Sequence, residues 1–153
     1  MRSLNLPTYS FKIKSDGEKN YIFDTFRKKY VILTPEEWVR QNFAQFLVQD
    51  KKFPSGRMVI EKSLKYNRLA KRCDILVYNN EREPAAMIEC KAPYVKIDAS
   101  VFDQIAVYNM TFKVRFLIVT NGLEHYCAEI DLVGKKVKFL DHIPMYGDLL
   151  PEG

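Results

Sequence analysis

The sequence predicts an α/β or α+β domain built on a mixed sheet flanked by helices. Two observations carry that prediction. Apolar segments run in the order helix-like stripe, three strand-like segments, second helix-like stripe, then two or more strands. The length, 153 residues, suits one domain with a single core. A sheet with helices packed on it is the natural way to bury such a series.

Residues 1 to about 33 read as an N-terminal extension. Ser10-Phe11-Lys12-Ile13-Lys14 alternates, Ser15-Asp16-Gly17-Glu18 is turn chemistry, and Tyr21-Ile22-Phe23 resumes the strand pattern, which predicts a β-hairpin. Thr34-Pro35-Glu36-Glu37 opens a helix. Thr34 suits the N-cap, Pro35 the first helical position, and Glu37 completes a capping box. Trp38, Val39, Phe43, Phe46 and Leu47 recur at helical spacing as its buried stripe, and the helix should end near Lys51, before Pro54-Ser55-Gly56.

Strands are expected over Met58 to Lys62, Arg72 to Tyr78 and Ala85 to Lys91. A second helix should run from about Ala99 to Phe112, with Val101, Ile105, Tyr108 and Phe112 on its apolar face. Phe116 to Thr120 reads as a short buried strand, Asn121-Gly122 as a turn, and His125 to Ile130 as the return strand. Val137 to Leu140 adds one more strand. The domain therefore spans 34–142, and 143–153 is read as an irregular tail.

The bulk numbers set limits. A hydrophobic fraction of 47% with 28% charged residues is that of an ordinary globular protein. Apolar runs such as Phe116 to Val119 are too short to cross a bilayer, and the first residues lack the apolar core of a secretory signal. A cytoplasmic location without a membrane partner is the expectation. Cys73, Cys90 and Cys127 cannot all pair with one another, so reduced, buried thiols are expected. With only His125 and His142, no compact zinc cluster is available. The formal charge of +5 fits a polyanion partner without requiring one.

The informative stretch is Arg72-Cys73-Asp74-Ile75-Leu76-Val77-Tyr78, followed after a loop by Ala85-Ala86-Met87-Ile88-Glu89-Cys90-Lys91. Two apolar strands each carry charge where core residues would be expected. Alternation puts Glu89 and Lys91 on one face. If the intervening loop closes an antiparallel hairpin, Tyr78 pairs with Ala85, Leu76 with Met87, and Asp74 with Glu89. Opposed side chains have Cβ atoms roughly 5 Å apart. Two carboxylates so close repel unless a cation lies between them. Hard oxygen donors suit Mg²⁺ or Mn²⁺. Such an ion activates water and polarises a phosphoryl oxygen, and Lys91 could orient or deprotonate that water, or stabilise charge on the phosphate. Phosphodiester hydrolysis is the reaction class. The plainer account is a pair of solvated edge charges.

These residues, with Ala92-Pro93 after Lys91, resemble the PD-(D/E)xK nucleases. More narrowly, they resemble the N-terminal nuclease domain of type I restriction enzyme R subunits. The likeness continues through Val101-Phe102-Asp103-Gln104-Ile105-Ala106-Val107-Tyr108-Asn109, which carries a QxxxY element, and through Thr120-Asn121-Gly122. Upstream, Pro35-Glu36-Glu37-Trp38-Val39-Arg40-Gln41 resembles the family's first core helix. The match spans about residues 30 to 130.

The resemblance implies a restriction-endonuclease-like fold and specific roles. Asp74 and Glu89 would ligate the metal with the carbonyl of Cys90, and Lys91 would be the catalytic lysine. Glu36 aligns with the acidic residue of the first helix that helps hold metal or water. Glu37 competes for that role, although helical phase favours Glu36, seven residues before Phe43. Gln104 and Tyr108 would share one helix face beside the active site and support DNA contact, with Gln104 counted in the catalytic set as well. Lys71 and Arg72, at the end of a basic run with Lys62, Lys65 and Arg68, would face phosphates, against the alternative of a solvated loop. Glu61 could approach the metal, and His125 is read as a strand residue, not a base.

The sequence departs from the pattern in having Cys73 before Asp74, where the family's signature has proline. It also has no GxxxxGK[ST] loop, so no ATP is expected as cofactor. Expected partners are DNA and either a second copy or other restriction-system subunits. Three further readings stay open: a non-catalytic DNA-binding module of the same fold, a nuclease subunit of a larger restriction or repair complex, and an unrelated small-molecule enzyme.

Overall fold

A computed structural model describes residues 2–66, 69–131, 133 and 136–151, without the side chains of 63–66, 69–71, 105 and 107–112. The anticipated Tyr108, Lys71, Lys65, Ile105 and Phe112 side chains, and all of Arg68, lie outside the described residues.

Three short strands come first: β1 (Ile13–Ser15), β2 (Asn20–Asp24) and β3 (Lys29–Ile32), forming an antiparallel sheet in that order. The expected hairpin thus gains a third strand. Asp24 turns the chain back by accepting the N–H groups of Phe26 and Arg27, and Lys28 completes the turn with φ 54°. That turn has no glycine to announce it.

Helix α1 (Pro35–Gln49) follows, with the Thr34 hydroxyl accepting the Glu37 N–H at 3.0 Å. The anticipated capping box is only half built, because the Glu37 carboxylate turns to Arg27, Arg40 and Gln41 instead. Then come β4 (Met58–Tyr66), β5 (Leu69–Tyr78), β6 (Pro84–Cys90), α2 (Ala99–Phe112), β7 (Phe116–Thr120), β8 (His125–Asp131) and β9 (Lys136–Leu140). These six strands form one sheet in chain order. Every neighbouring pair is antiparallel except β6 and β7, which are parallel. A parallel pair needs a long crossover, and α2 supplies it.

The sheet separates two apolar clusters. Val39, Phe43 and Leu47 of α1 pack with Ile75, Val77, Ile88, Cys90, Phe116 and Ile118. Val101 of α2 packs with Leu76, Met87, Leu117 and Val119. Alternate residues of β5, β6 and β7 therefore face opposite helices, as pleating requires. Both sheet faces are covered, which explains the near-continuous apolar runs of the central strands.

Residues 2–5 and 146–149 are tied to the domain. Asn5 donates its N–H to Gly122 O at 2.8 Å and its carbonyl meets His125 Nε2 at 2.9 Å. Trp38 Nε1 donates to Arg2 O. Residues Tyr146–Leu149 form a 3₁₀ turn, and the Tyr146 hydroxyl donates to Tyr78 O at 2.9 Å. Leu149 is buried in the α1-side core, so this part of the segment read as an irregular tail packs as structure. Among the described residues, no helix is long and apolar enough to cross a membrane. All three cysteines are buried and free.

Candidate active site

The β5–β6 hairpin pairs Leu76 with Met87 as expected, but Tyr78 pairs with Pro84 rather than Ala85, across an irregularity at Val77/Tyr78. The shift lies at the loop end, where Asn79 Oδ1 accepts the N–H groups of Glu81 and Glu83 and tightens the turn. Inward from it the register is the anticipated one, down to Ile75 opposite Ile88. At the next step Asp74 ends the ladder with its side chain, Oδ2 accepting the Cys90 N–H at 2.7 Å.

Asp74 also marks a break in alternation. Cys73 joins the α2-side cluster, although strict pleating would put it with Ile75 on the α1 side. The partner strand is irregular at the same place. Pairing runs from Ile60↔Ile75 to Lys62↔Cys73, leaving Glu61 opposite Asp74 with a left-handed φ of 53°. A non-glycine residue held there stores strain. The irregularity turns both acids toward a cavity of about 430 Å³ lined by Thr34, Glu36, Arg40, Glu61, Asp74 and Tyr94, among others.

Glu89 and Lys91 do not line that cavity directly but lie within electrostatic reach of residues that do. Burial and the negative charge of Glu89 push the Asp74 carboxyl up to about 7, with Glu36 adding to the rise and the Cys90 N–H and Arg40 opposing it. Glu36 is likewise raised, by burial and by Glu89, against the pull of Lys91. Glu89 is 7% exposed, and its Oε1 meets Lys91 Nζ at 3.2 Å. Asp74, Glu89, Glu36 and Lys91 thus interact at one end of the sheet, beside the start of α1. Cys90 is wholly buried.

The Glu36 and Glu37 alternatives separate cleanly in position. Glu36 faces the carboxylates of β5 and β6. Glu37 accepts from Arg27 Nη2 at 2.8 Å and from Arg40 Nε at 2.9 Å. Arg27 extends the network to Asp24 at 2.6 Å and Glu61 at 2.9 Å, and Arg40 Nη2 reaches Asp24 at 3.1 Å. Burial works against ionisation of Asp24, but the two guanidinium groups hold its carboxyl below the usual range. Arg40 Nη1 is buried with no hydrogen-bond partner among the described residues.

The remaining anticipated residues are spread more widely. Arg72 is 70% exposed at its side chain and pairs with Glu61 at 3.3 Å. Gln104 is exposed on α2 and does not line the cavity. His125 sits in β8 with Nδ1 against the Thr120 hydroxyl, and burial holds it below its ordinary pKa. Sequence reasoning missed Asp24, Arg27, Arg40 and Tyr94. Arg40 carried a signal, standing three residues after Glu37 at ion-pair spacing. Asp24 and Arg27 are joined to the site only by long-range contacts, whereas Tyr94 follows Lys91 by three residues but carries no motif.

Among the described residues, no three His, Cys, Asp or Glu side chains are gathered closely enough to form a ready metal cage. Two carboxylates instead hold internal partners, the Cys90 N–H and Lys91.

Comparison with known proteins gives a consistent placement. A family profile described as type I restriction enzyme R protein N terminus matches residues 35–144. The structure is similar to a fragment of a putative HsdR subunit of a type I restriction enzyme from Vibrio vulnificus YJ016, at TM-score 0.50 and 16% identity. That alignment covers 72% of this chain but 24% of the other, so the chain corresponds to a minor part of that relative. The curated proteins yield no match. With more than half of its length matched by the profile, the chain belongs to the type I restriction enzyme R protein N-terminus family.

Proposed function

We propose that this chain is a metal-dependent DNA endonuclease domain of the PD-(D/E)xK type, working in a restriction system with other subunits or a second copy. One observation carries the reading: the negative charge of Glu89 opposes ionisation of both Asp74 and Glu36, and the Lys91 ammonium lies 3.2 Å from Glu89. Carboxylates so crowded are stabilised by a divalent cation. The donors are hard oxygens, and Mg²⁺ asks for only one or two carboxylates because it keeps several waters. The residues therefore fit Mg²⁺ or Mn²⁺ without a closed cage. Asp74 and Glu89 would hold it with the Cys90 carbonyl, and Glu36 would hold metal or water.

The bound ion would supply charge neutralisation and a water of lowered pKa. The protein's own groups do the rest. The Cys90 N–H fixes the Asp74 carboxylate. Lys91 orients the attacking water or stabilises charge on the phosphate. Arg72, Lys71, Gln104 and Tyr108 are proposed DNA contacts, Gln104 in that role alone because it lies outside the cavity lining. A cytoplasmic site of action fits this role.

The test is incubation of plasmid DNA with the protein and Mg²⁺ or Mn²⁺. Wild type should nick or linearise the plasmid. Lys91→Ala should slow cleavage by about 10²–10⁴-fold, and Asp74→Ala by at least as much. Cleavage that survives both substitutions would remove the site from consideration. The existing Glu89–Lys91 pairing favours a second reading, a non-catalytic DNA-binding module. Salt-sensitive binding without cleavage would select it.

A further inference from the structure

The N-terminal sheet has two unlike faces. Ile22 and Asp24 point inward and are fully buried. Tyr21 and Phe23 point the other way, opposite Ile32 and Tyr30 of β3, and Lys14 stands opposite Tyr21 on β1. Lys12 lies beside Phe23, whose N–H it accepts. This outer face is therefore lysine and aromatic rings in alternation.

Its geometry is organised. Lys14 Nζ lies 4.1 Å from the Tyr30 ring centroid, and Lys12 Nζ 5.8 Å from that of Phe23. Phe23 and Tyr30 meet edge to face at 5.2 Å. A groove of about 430 Å³ runs between the β1–β2 turn and the two tyrosines, lined by Lys14, Ser15, Asp16, Tyr21 and Tyr30. Tyr30 is 39% exposed. Asp16 is engaged by its own turn, accepting the N–H groups of Glu18 and Lys19 and the Tyr21 hydroxyl, so it also orients one wall of the groove.

Charge points to the occupant. Residues 10–33 hold six Lys or Arg against three Asp or Glu, which is three of the chain's five excess positive charges. Asp24 and Arg27 pair with each other away from the outer face, so leaving both out keeps the same excess of three. Lysines laid along aromatic rings are held in place, so less side-chain freedom is lost when they meet a phosphate.

We propose that this face binds single-stranded DNA, with a base in the groove against Tyr21 and Tyr30 and phosphates on Lys12 and Lys14. An unpaired strand offers both an open base face and a backbone charge, whereas a duplex keeps its bases stacked. The reading rests on the proposed function only in taking DNA as the nucleic acid.

The test is fluorescence anisotropy of a labelled oligothymidylate of about 16 nucleotides, in EDTA so that hydrolysis plays no part. Wild type should bind it in preference to a duplex of equal length. Tyr30→Leu should weaken binding about tenfold while Tyr30→Phe keeps it, separating stacking from fold. Lys12→Gln with Lys14→Gln should reduce the salt slope by about 1.4. The matched control is Lys136→Gln with Lys138→Gln, an equal charge change on the exposed β9 strand, which should leave binding unchanged. Three results would overturn the proposal: no binding by wild type at low salt, equal loss in the β9 control, or a preference for duplex with Tyr30→Leu unaffected. None of them touches the hydrolytic reading, which Asp74→Ala tests by cleavage.

Discussion

Arg40 of α1 donates to Asp24 of the N-terminal sheet at 3.1 Å, both side chains almost fully buried. One partner lies inside the family-matched region and the other lies before it. The N-terminal sheet is therefore anchored to the wall of the candidate site. Arg27 doubles the link by bridging Asp24, Glu37 and Glu61.

Removing Asp24 takes one carboxylate from each guanidinium, with Glu37 left to Arg40 and Glu37 and Glu61 left to Arg27. Asp24→Ala should lower unfolding free energy by about 1.5–3 kcal/mol, measured by urea denaturation. A loss below about 1 kcal/mol would mean that water replaces Asp24 and the anchor is weak.

Glu61 supplies a second test, because its φ of 53° suits glycine. Glu61→Ala and Glu61→Gly remove the same ion pairs with Arg27 and Arg72. The glycine variant should be the more stable of the two by about 1 kcal/mol. The reverse order would show that the left-handed backbone relaxes when the carboxylate is gone.

Asp74 should make stability depend on pH in a stated direction. Burial and the charge of Glu89 push its carboxyl up to about 7, against about 3.9 in the unfolded chain. The folded state then holds more protons between those values. The stability linked to Asp74 is full below the unfolded pKa and is lost as pH rises through the folded one. Asp74→Asn, which can still accept the Cys90 N–H, should raise Tm in EDTA by a few degrees at pH 8 and change it little at pH 4. A stabilisation independent of pH would detach the effect from ionisation.

Gly122 tests how the N-terminal segment is held. A Cβ there would come within 2.7 Å of Leu4 Cδ2, and φ is +86°. Gly122→Ala should cost about 1–3 kcal/mol by thermal unfolding and expose the Asn5–Gly122 contact to proteolysis. Unchanged protection of residues 2–9 would show that Leu4 simply moves aside.

What the sequence made legible was whatever repeats locally. The bounds of α2 follow from its 3.6-residue stripe, and β7 from its unbroken apolar run. The Leu76↔Met87 register follows from counting across one short loop. The hidden features are those made by distant residues or by backbone detail. Pro84 rather than Ala85 opposite Tyr78 depends on an irregularity with no composition signal. The third N-terminal strand follows a turn built on Asp24 and Lys28, and neither residue announces a turn as glycine would. Glu37 looked like a capping-box acid because Thr34 stands three residues before it. Arg27 and Arg40 compete for the same carboxylate, and only the fold brings Arg27 there. Within the site, Glu89 and Lys91 could be named from strand alternation and Asp74 from counting across the hairpin. Glu61 could be named as near the metal, but the wall it forms with Arg40 depends on the strand irregularity and on the packing of α1.

The proposed hydrolysis requires these crowded acids to take up a divalent cation. Titration of Mn²⁺ onto the DNA-free protein, followed by electron paramagnetic resonance at pH 8, reads this directly. Wild type should bind Mn²⁺ at one site that Mg²⁺ displaces, and the Asp74→Asn, Glu89→Gln double variant should lose that site while keeping its fold. Wild type that leaves Mn²⁺ free, or a double variant that binds it equally well, would contradict the account.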